Sequence, residues 1–448
     1  MALQNEKLVV FANLEHEWVP CGQLTLEEQG SHLVASQFAY GVNYLKRANA
    51  LEVDPVSLSI ANRATVSGQL LLPIAPLPFF GGIRDCAPDA WGRRVIEAKR
   101  QVPPNSLPES EYLLEAGSER VGALDIRRQM KDVSSTGVSE VHDLAYLMEA
   151  ADRIQEGLAI PERLEAIFLV GSGLGGARPK ASVRDADGIL WIAKFSNPND
   201  AFDIPAIECA TLLLAQKAGL QVPPIKTMVL GNRRIMLIRR FDRYWAGKGE
   251  QSASDFNVFN TVAERHKVEY RMGFVSGLTL TACDEMDSKN KSYGDLALAI
   301  RRYCHPSVIR ADGEELFKRM VFNIFVSNDD DHLRNHGFVW DPCILGWRLS
   351  PLYDVLPRAS FASERFLHLA IGHQGRLATI DNALSAAGLF MLSQKKACEC
   401  ISEVWQVIRQ WKTYFDEFKV SAAEIEKISP AFRHIDAISS SAVRVLIS

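Results

Sequence analysis

Asp330 and Asn335, five positions apart, together with Asp354 further on, are side chains suited to moving a phosphoryl group. They lie in Val326-Ser327-Asn328-Asp329-Asp330-Asp331-His332-Leu333-Arg334-Asn335 and Leu349-Ser350-Pro351-Leu352-Tyr353-Asp354-Val355. In a kinase catalytic loop an Asp takes the proton of the attacking hydroxyl, and an Asn five residues on holds a Mg²⁺. A later Asp holds the metal that bridges the ATP phosphates. The order here is the same. Three adjacent carboxylates also admit a divalent-metal site of another kind or a helix-end cap. Only Asp330 of the three has the spacing to Asn335. His332, beside the cluster, is a catalytic candidate, although a His next to an Asp cluster is more often hydrogen-bonded scaffold. A hydrolase of the His-before-Asp kind is disfavoured, because the order here is reversed.

A second candidate is the loop Gly171-Ser172-Gly173-Leu174-Gly175-Gly176-Ala177-Arg178-Pro179-Lys180. Ala177 stands where a Walker A loop needs Lys, and Pro179 with the following strand pattern argues against a helix opening at these glycines. The remaining functional reading is a kinase-type loop between strands whose backbone N–H groups cover phosphates. A plain flexible turn is the alternative. Lys194, in Leu190-Trp191-Ile192-Ala193-Lys194-Phe195, reaches a phosphate or blunts a strand edge, and Glu208 on the next helix is its candidate ion-pair partner. Arg239-Arg240-Phe241-Asp242-Arg243 reads either as a hinge, with Phe241 on an adenine, or as a solvated charge cluster.

These groups need a scaffold of strands followed by helices. Leu8–Ala12, Gly22–Leu26 and Leu33–Phe38 read as short strands. Pro88 stands at a plausible first helical turn before Ala90–Ile96, and Lys131–Gly137 is a linker candidate. Val141, Leu144, Leu147, Met148, Ala151 and Ile154 share one helical face, with Ser139 as a possible N-cap. Asp185-Ala186-Asp187-Gly188 signals a hairpin between Ala181–Arg184 and Ile189–Phe195. A helix over Ala206–Ala218 ends at Gly219, and Met228–Leu230 pairs with Arg234–Ile238 around Gly231-Asn232. Gly346–Leu349 is strand-like. From about residue 255 the pattern is mostly helical, including Glu315–Val326 and Ala383–Trp411.

With 448 residues the chain accommodates two or three domains. Its 47% hydrophobic and 23% charged content excludes disorder. A net charge of −4, with no concentration of Lys and Arg in an arm or tail, does not support autonomous nucleic-acid binding. Eight scattered cysteines lack zinc or disulfide spacing, which fits reduced cytosolic thiols. No leader-like run opens the chain, and no apolar run approaches the roughly 20 residues that cross a bilayer. The expectation is a cytoplasmic protein away from membranes.

At these residues the chain resembles the HipA family of serine/threonine kinases, the toxins of bacterial toxin–antitoxin modules. Gly175-Gly176-Ala177-Arg178-Pro179-Lys180 is similar to the family's glycine-loop motif. Arg240-Phe241-Asp242-Arg243, Asn328–Asn335 and Tyr353-Asp354-Val355 resemble its later motifs. Phe79–Lys99 and Tyr112–Ala123 are similar to its accessory domain. The resemblance implies an α+β, two-lobed protein-kinase-like fold with a sheet-rich N-lobe over 139–245, a helical C-lobe over 246–448 and an accessory α/β domain over 1–130. It implies ATP with Mg²⁺, bound between the lobes. Gly175, Gly176, Ala177, Arg178, Lys180 and Lys194 would hold phosphates, and Arg239 and Phe241 the adenine. His332, Asn335 and Asp354 complete the nucleotide contacts, Asn335 and Asp354 hold the metal, and Asp330 is the base. The implied substrate is a serine on a protein of the translation apparatus, such as an aminoacyl-tRNA synthetase. The implied partner is a HipB-like helix-turn-helix antitoxin, through which alone operator DNA is bound. A catalytically silent co-repressor of the same fold is the alternative. One departure stands out: Gly173, beside Ser172, takes the place of a loop serine that family members often phosphorylate.

Overall fold

The computed structural model describes residues 3–133, 139–173, 176–197, 199–252 and 257–447. Among them four sheets form. The first contains β1 (Gln4–Leu14), β2 (Glu17–Gln29), β3 (His32–Tyr40) and β4 (Leu124–Arg127), in the order β3-β2-β1-β4. Alternation makes it. Leu8, Val10, Ala12, Leu24, Leu26, Phe38 and Tyr40 turn to one buried face and join Phe80 and Ile83 in a core. The β1–β2 turn is two residues, Glu15 and His16, both at positive φ (49° and 68°), the hand that matches strand twist.

The second sheet has the order β5-β6-β7-β9-β8, from β5 (Ser139–Glu140), β6 (Lys180–Arg184), β7 (Leu190–Phe195), β8 (Ile225–Leu230) and β9 (Arg233–Arg239). The expected β6–β7 hairpin is present. Asp185 Oδ1 accepts from the N–H of Asp187 (3.1 Å) and of Ile189 (2.9 Å), and Gly188 takes φ +77°. A two-stranded sheet, β10 (Arg243–Ala246) with β11 (Val268–Arg271), and a three-stranded one, β12 (Phe274–Ser276), β13 (Gly337–Asp341) and β14 (Gly346–Leu349), complete the set.

The residues divide into two compact units. One comprises Met1–Pro198, Leu237–Val275 and Val339–Leu345, the other Asn199–Met236, Ser276–Phe338 and Gly346–Ser448. In the second, the helix Ile309–Val326 is buried nearly all round from Leu316 onward, as a central core helix must be. It packs beside the helices Tyr293–Tyr303 and Gln394–Ile408.

Several local expectations are corrected. Pro88 precedes the helix Ala90–Arg100, whose N-cap is Asp89. Ser139 is no cap: it lies in β5, parallel to Val183, and a capping box between Glu140 and Asp143 starts the next helical turn instead. The glycine loop is entered from a helical turn, Ile167–Val170, rather than from a strand. Ala383–Trp411 is broken into separate helices by Met391 at φ +60° and the Ser393 cap. The strands β11, β12 and β13 lie in the stretch that reads as helical, because strands of three to five residues leave too little alternation to see. Of the linker candidate, residues 134–137 lie outside the described residues.

Candidate active site

The helix Ile309–Val326 stops at Ser327, whose left-handed backbone (φ 52°, ψ 46°) turns the chain out of the helix. Ser327 Oγ donates to the Ala431 carbonyl (2.6 Å), which holds a conformation L residues rarely adopt. The chain then passes through Asn328, Asp329 and Asp330 into a short helical turn at Leu333–Asn335. Here two of the sequence candidates are joined directly, and a third is tied in through its neighbour. Asn335, 5% exposed, donates its Nδ2 to the Asp330 carbonyl at 3.1 Å. The Tyr353 hydroxyl donates to the Arg334 carbonyl at 2.7 Å, tying the Asp354 turn to the same loop. Asp330 and Asp354 both present exposed carboxylates, and Asp354 takes φ +60°.

Asp331 plays another part. It is 1% exposed, and its Oδ2 accepts from Tyr293 Oη, from Asn323 Nδ2 (2.8 Å) and, at 3.0 Å, meets His336 Nε2. Burial alone would raise this carboxyl, but His336 and the Tyr293 hydroxyl outweigh it and hold it below the usual range. Asn328 Nδ2 donates to Asn323 Oδ1 (3.1 Å), so the loop is pinned at both ends of the Asp cluster. The alternatives for the three carboxylates therefore separate: Asp329 pairs with Arg358 (2.9 Å), Asp331 is internal scaffold, and Asp330 faces outward. His332 stands edge-on to His368, ring centroids 5.9 Å apart. Nothing in the sequence near Asp331 signals its partners at 293 and 323, because helix packing alone brings them together.

Whether Mg²⁺ fits is a question of donor chemistry. With Nδ2 committed to the Asp330 carbonyl, Asn335 has its Oδ1 left as a hard oxygen donor, and Asp354 adds an exposed carboxylate. One or two protein oxygens, completed by water and phosphate, is how Mg²⁺ is usually held. No group of three or more His, Cys, Asp or Glu suited to a metal occurs among the described residues. The donors fit Mg²⁺ on a nucleotide rather than a closed protein cage.

In the other unit, the glycine loop is fastened at Gly176. Its N–H donates to Asp89 Oδ2 (2.9 Å) while its carbonyl accepts from Trp91 N (3.0 Å), both at the start of the helix Ala90–Arg100. Trp91 Nε1 also donates to the Lys180 carbonyl at 2.8 Å. Asp89 and Trp91 escaped the sequence reading since they lie some ninety positions earlier. Gly176 sits at φ +85°, and a Cβ there would collide with Lys180 Nζ. Lys180 and Lys194 are direct antiparallel partners, so both ammonium groups rise from one face of the hairpin. Ala177 is exposed and Arg178 half-buried. Gly175 lies outside the described residues. At Gly173 a Cβ would come within 2.8 Å of the Ala116 carbonyl, so the backbone there excludes a serine, and Ser172 is buried at 3% exposure.

The Arg239–Arg243 segment is the clearest surprise in this unit. It is not a solvated charge cluster: Arg239, Arg240, Asp242 and Arg243 are all buried. Asp242 receives Arg240 Nε (2.9 Å) and Nη2 (2.7 Å), Arg243 Nη1 (2.7 Å) and the N–H of Gly122 (2.8 Å). Arg240 also donates to the carbonyls of Glu119 (2.7 Å) and Arg120 (2.9 Å). Burial would raise the Asp242 carboxyl, yet the two guanidiniums hold it well below the usual range. Phe241, between these anchors, packs its ring 6.3 Å from Phe274 at the margin of a small core. Glu208 is buried within the helix Ile204–Lys217 of the second unit.

Comparison with known proteins agrees in outline. Residues 172–411 match the model of the HipA-like C-terminal domain. Y4mE of Sinorhizobium fredii, named provisionally as a kinase, is 24% identical over 377 residues, covering 80% of each chain. Among solved structures, HipA of Shewanella oneidensis MR-1, determined with HipB and operator DNA, aligns with a TM-score of 0.61. It is 14% identical and 94% of each chain is covered. The likeness shows the fold: a kinase-like arrangement of sheet and helical regions.

Proposed function

The chain belongs to the HipA family, and on that premise we propose that it is an ATP- and Mg²⁺-dependent serine/threonine protein kinase, the toxin of a toxin–antitoxin module. The single observation that carries this reading is the Asn335 amide on the Asp330 carbonyl, with Tyr353 tying the Asp354 turn beside it. Within the second unit we assign Asp330 as the base that receives the hydroxyl proton, Asn335 and Asp354 as metal ligands, and His332 as a nucleotide contact. Within the first we assign Gly175, Gly176, Ala177, Arg178, Lys180 and Lys194 to phosphates and Arg239 and Phe241 to adenine. A bound Mg²⁺ would neutralise charge on the phosphates. Asp330 is suited to its role because its carboxylate is exposed while its backbone is fixed. Asp331, its buried neighbour, anchors the loop to Tyr293, Asn323 and His336.

For partners we propose a helix-turn-helix antitoxin, by analogy with the HipA that assembles with HipB and operator DNA. The acidic net charge leaves most phosphate contacts to that antitoxin. The proposed substrate is a protein of the translation apparatus, an aminoacyl-tRNA synthetase being the first to test, in the cytoplasm. No helix among the described residues is long and apolar enough to cross a membrane.

The deciding experiment is Asp330→Asn. Loss of a general base is worth about 10²–10⁴-fold, so transfer of labelled γ-phosphate to protein should fall by that factor while nucleotide affinity stays nearly constant. Equal loss of affinity would make Asp330 a metal ligand. Wild-type protein that binds ATP but phosphorylates nothing in a lysate would support the silent co-repressor instead.

A further inference from the structure

The stretch after Asp354 runs exposed through Ala359, Phe361, Ala362, Ser363 and Glu364. Both its ends are fastened to residues just ahead of Asp330. Arg358 donates its N–H to the Ser327 carbonyl (3.2 Å) and pairs with Asp329 (2.9 Å). Arg365 Nη1 donates to Ser327 Oγ (2.5 Å).

Two guanidiniums stand against this stretch and hydrogen-bond only neutral oxygens, although Arg365 also feels the Asp329 carboxylate that pairs with Arg358. Arg365 donates to the carbonyls of Ala431 (3.1 Å), Pro430 (2.7 Å) and Ser360. Arg433, 9% exposed, donates Nη2 to the Ser363 carbonyl at 3.0 Å, and to Ala437 at 3.5 Å. Its Nη1 is buried with no hydrogen-bond partner. Among the described residues neither arginine makes a salt bridge. Burial, and then the charge of Arg365, push Arg433 down to about 10. A buried guanidinium with an orphaned donor, beside the half-buried like charge of Arg365, is costly unless an anion joins them.

We propose that Ser363 is a phosphorylation site and that Arg365 with Arg433 is the receptor for the phosphate it carries. Ser363 fits better than Ser360. Its side chain is exposed and its own carbonyl already rests on Arg433, whereas Ser360 is half-buried and its Oγ accepts from Ala362 N. In the modification Ser363 Oγ bonds to the γ-phosphorus of ATP as the bond from that phosphorus to the β–γ bridging oxygen breaks. The hydroxyl proton passes to the base of the kinase, and ADP leaves. The product is a dianion with three acceptor oxygens, matched to a forked guanidinium donor. Because the stretch is tied to Ser327 and Asp329, ordering it stiffens the approach to Asp330. The identity of the kinase does not enter the proposal, so its fate is separate from that of the reading above.

The test uses the full chain with phosphoserine genetically encoded at position 363, compared with unmodified protein by hydrogen exchange. Exchange over residues 357–366 should slow by about tenfold, and Arg433→Gln should restore the unmodified rate, the strength of charge-assisted pairing having been removed. No slowing, or equal slowing in Arg433→Gln, would overturn the receptor. Should that variant not fold, Arg433→Lys keeps the charge without the fork and should retain less than half of the slowing; full retention would overturn it too. Phosphopeptide mapping of the protein purified from its own cells under phosphatase inhibition should find phosphate on Ser363, and its absence there would overturn the modification.

Discussion

Replacing Asp242 by Asn tests how the first unit holds the Arg239–Phe241 segment. Asp242 gathers three guanidinium donors and one backbone N–H within 2.9 Å, with the pairing side chains 2–3% exposed. The substitution leaves two buried guanidiniums facing an amide, one of whose faces is itself a donor. Removing one partner of a buried pair costs about 3–5 kcal/mol. For a unit of this size that lowers the melting temperature by roughly 10 °C, at about 2–4 °C per kcal/mol. The pH dependence has a definite sign. Asp242 is depressed in the folded state, so its stabilisation is complete above its unfolded value of about 3.9 and is lost as pH falls toward the folded value. Urea unfolding of wild type and variant should therefore show a constant gap from pH 8 to pH 5, narrowing by about 1.4 kcal/mol per unit below pH 4. ATP affinity should fall in parallel, since Phe241 loses the anchor on its C-terminal side. A gap under about 1 kcal/mol, or one that does not narrow in acid, would refute the buried-anion account.

Three other outcomes are expected. Asp312 accepts from Leu349 N (2.7 Å), and burial pushes its carboxyl up to about 6. Its favourable, protonated form is fully present below about pH 4 and lost as pH rises through about 6, so Asp312→Asn should stabilise by about 2–3 kcal/mol at pH 8 and little at pH 4, read by thermal unfolding. Gly176→Ala strains a φ of +85° and displaces the Lys180 ammonium, so nucleotide affinity should drop by about tenfold with about 1–2 kcal/mol lost in stability; unchanged affinity would remove Lys180 from the phosphate site. Tyr353→Phe deletes one hydrogen bond worth about 1 kcal/mol. Its larger effect should be a weaker Mg²⁺ dependence of transfer, and an unaltered metal titration would uncouple the Asp354 turn from Asn335.

What the chain of residues settled alone is what depends on local chemistry. The Asp330–Asn335 spacing spans one turn out of a helix, and the structure joins those two residues by a direct hydrogen bond. The β6–β7 and β8–β9 hairpins followed from turn residues and alternation, which are properties of a few adjacent positions. Tertiary structure decided the rest. Asp329, Asp330 and Asp331 are the same residue three times over, and only packing makes one a surface ion pair, one exposed and one a buried acceptor for Tyr293, Asn323 and His336. Arg240, Asp242 and Arg243 look like a solvated run until Glu119, Arg120 and Gly122 close over them. Asp89 and Trp91 carry no mark that they will grip Gly176. Burial and long-range partnership are set by which elements pack together, and no window along the chain contains that information.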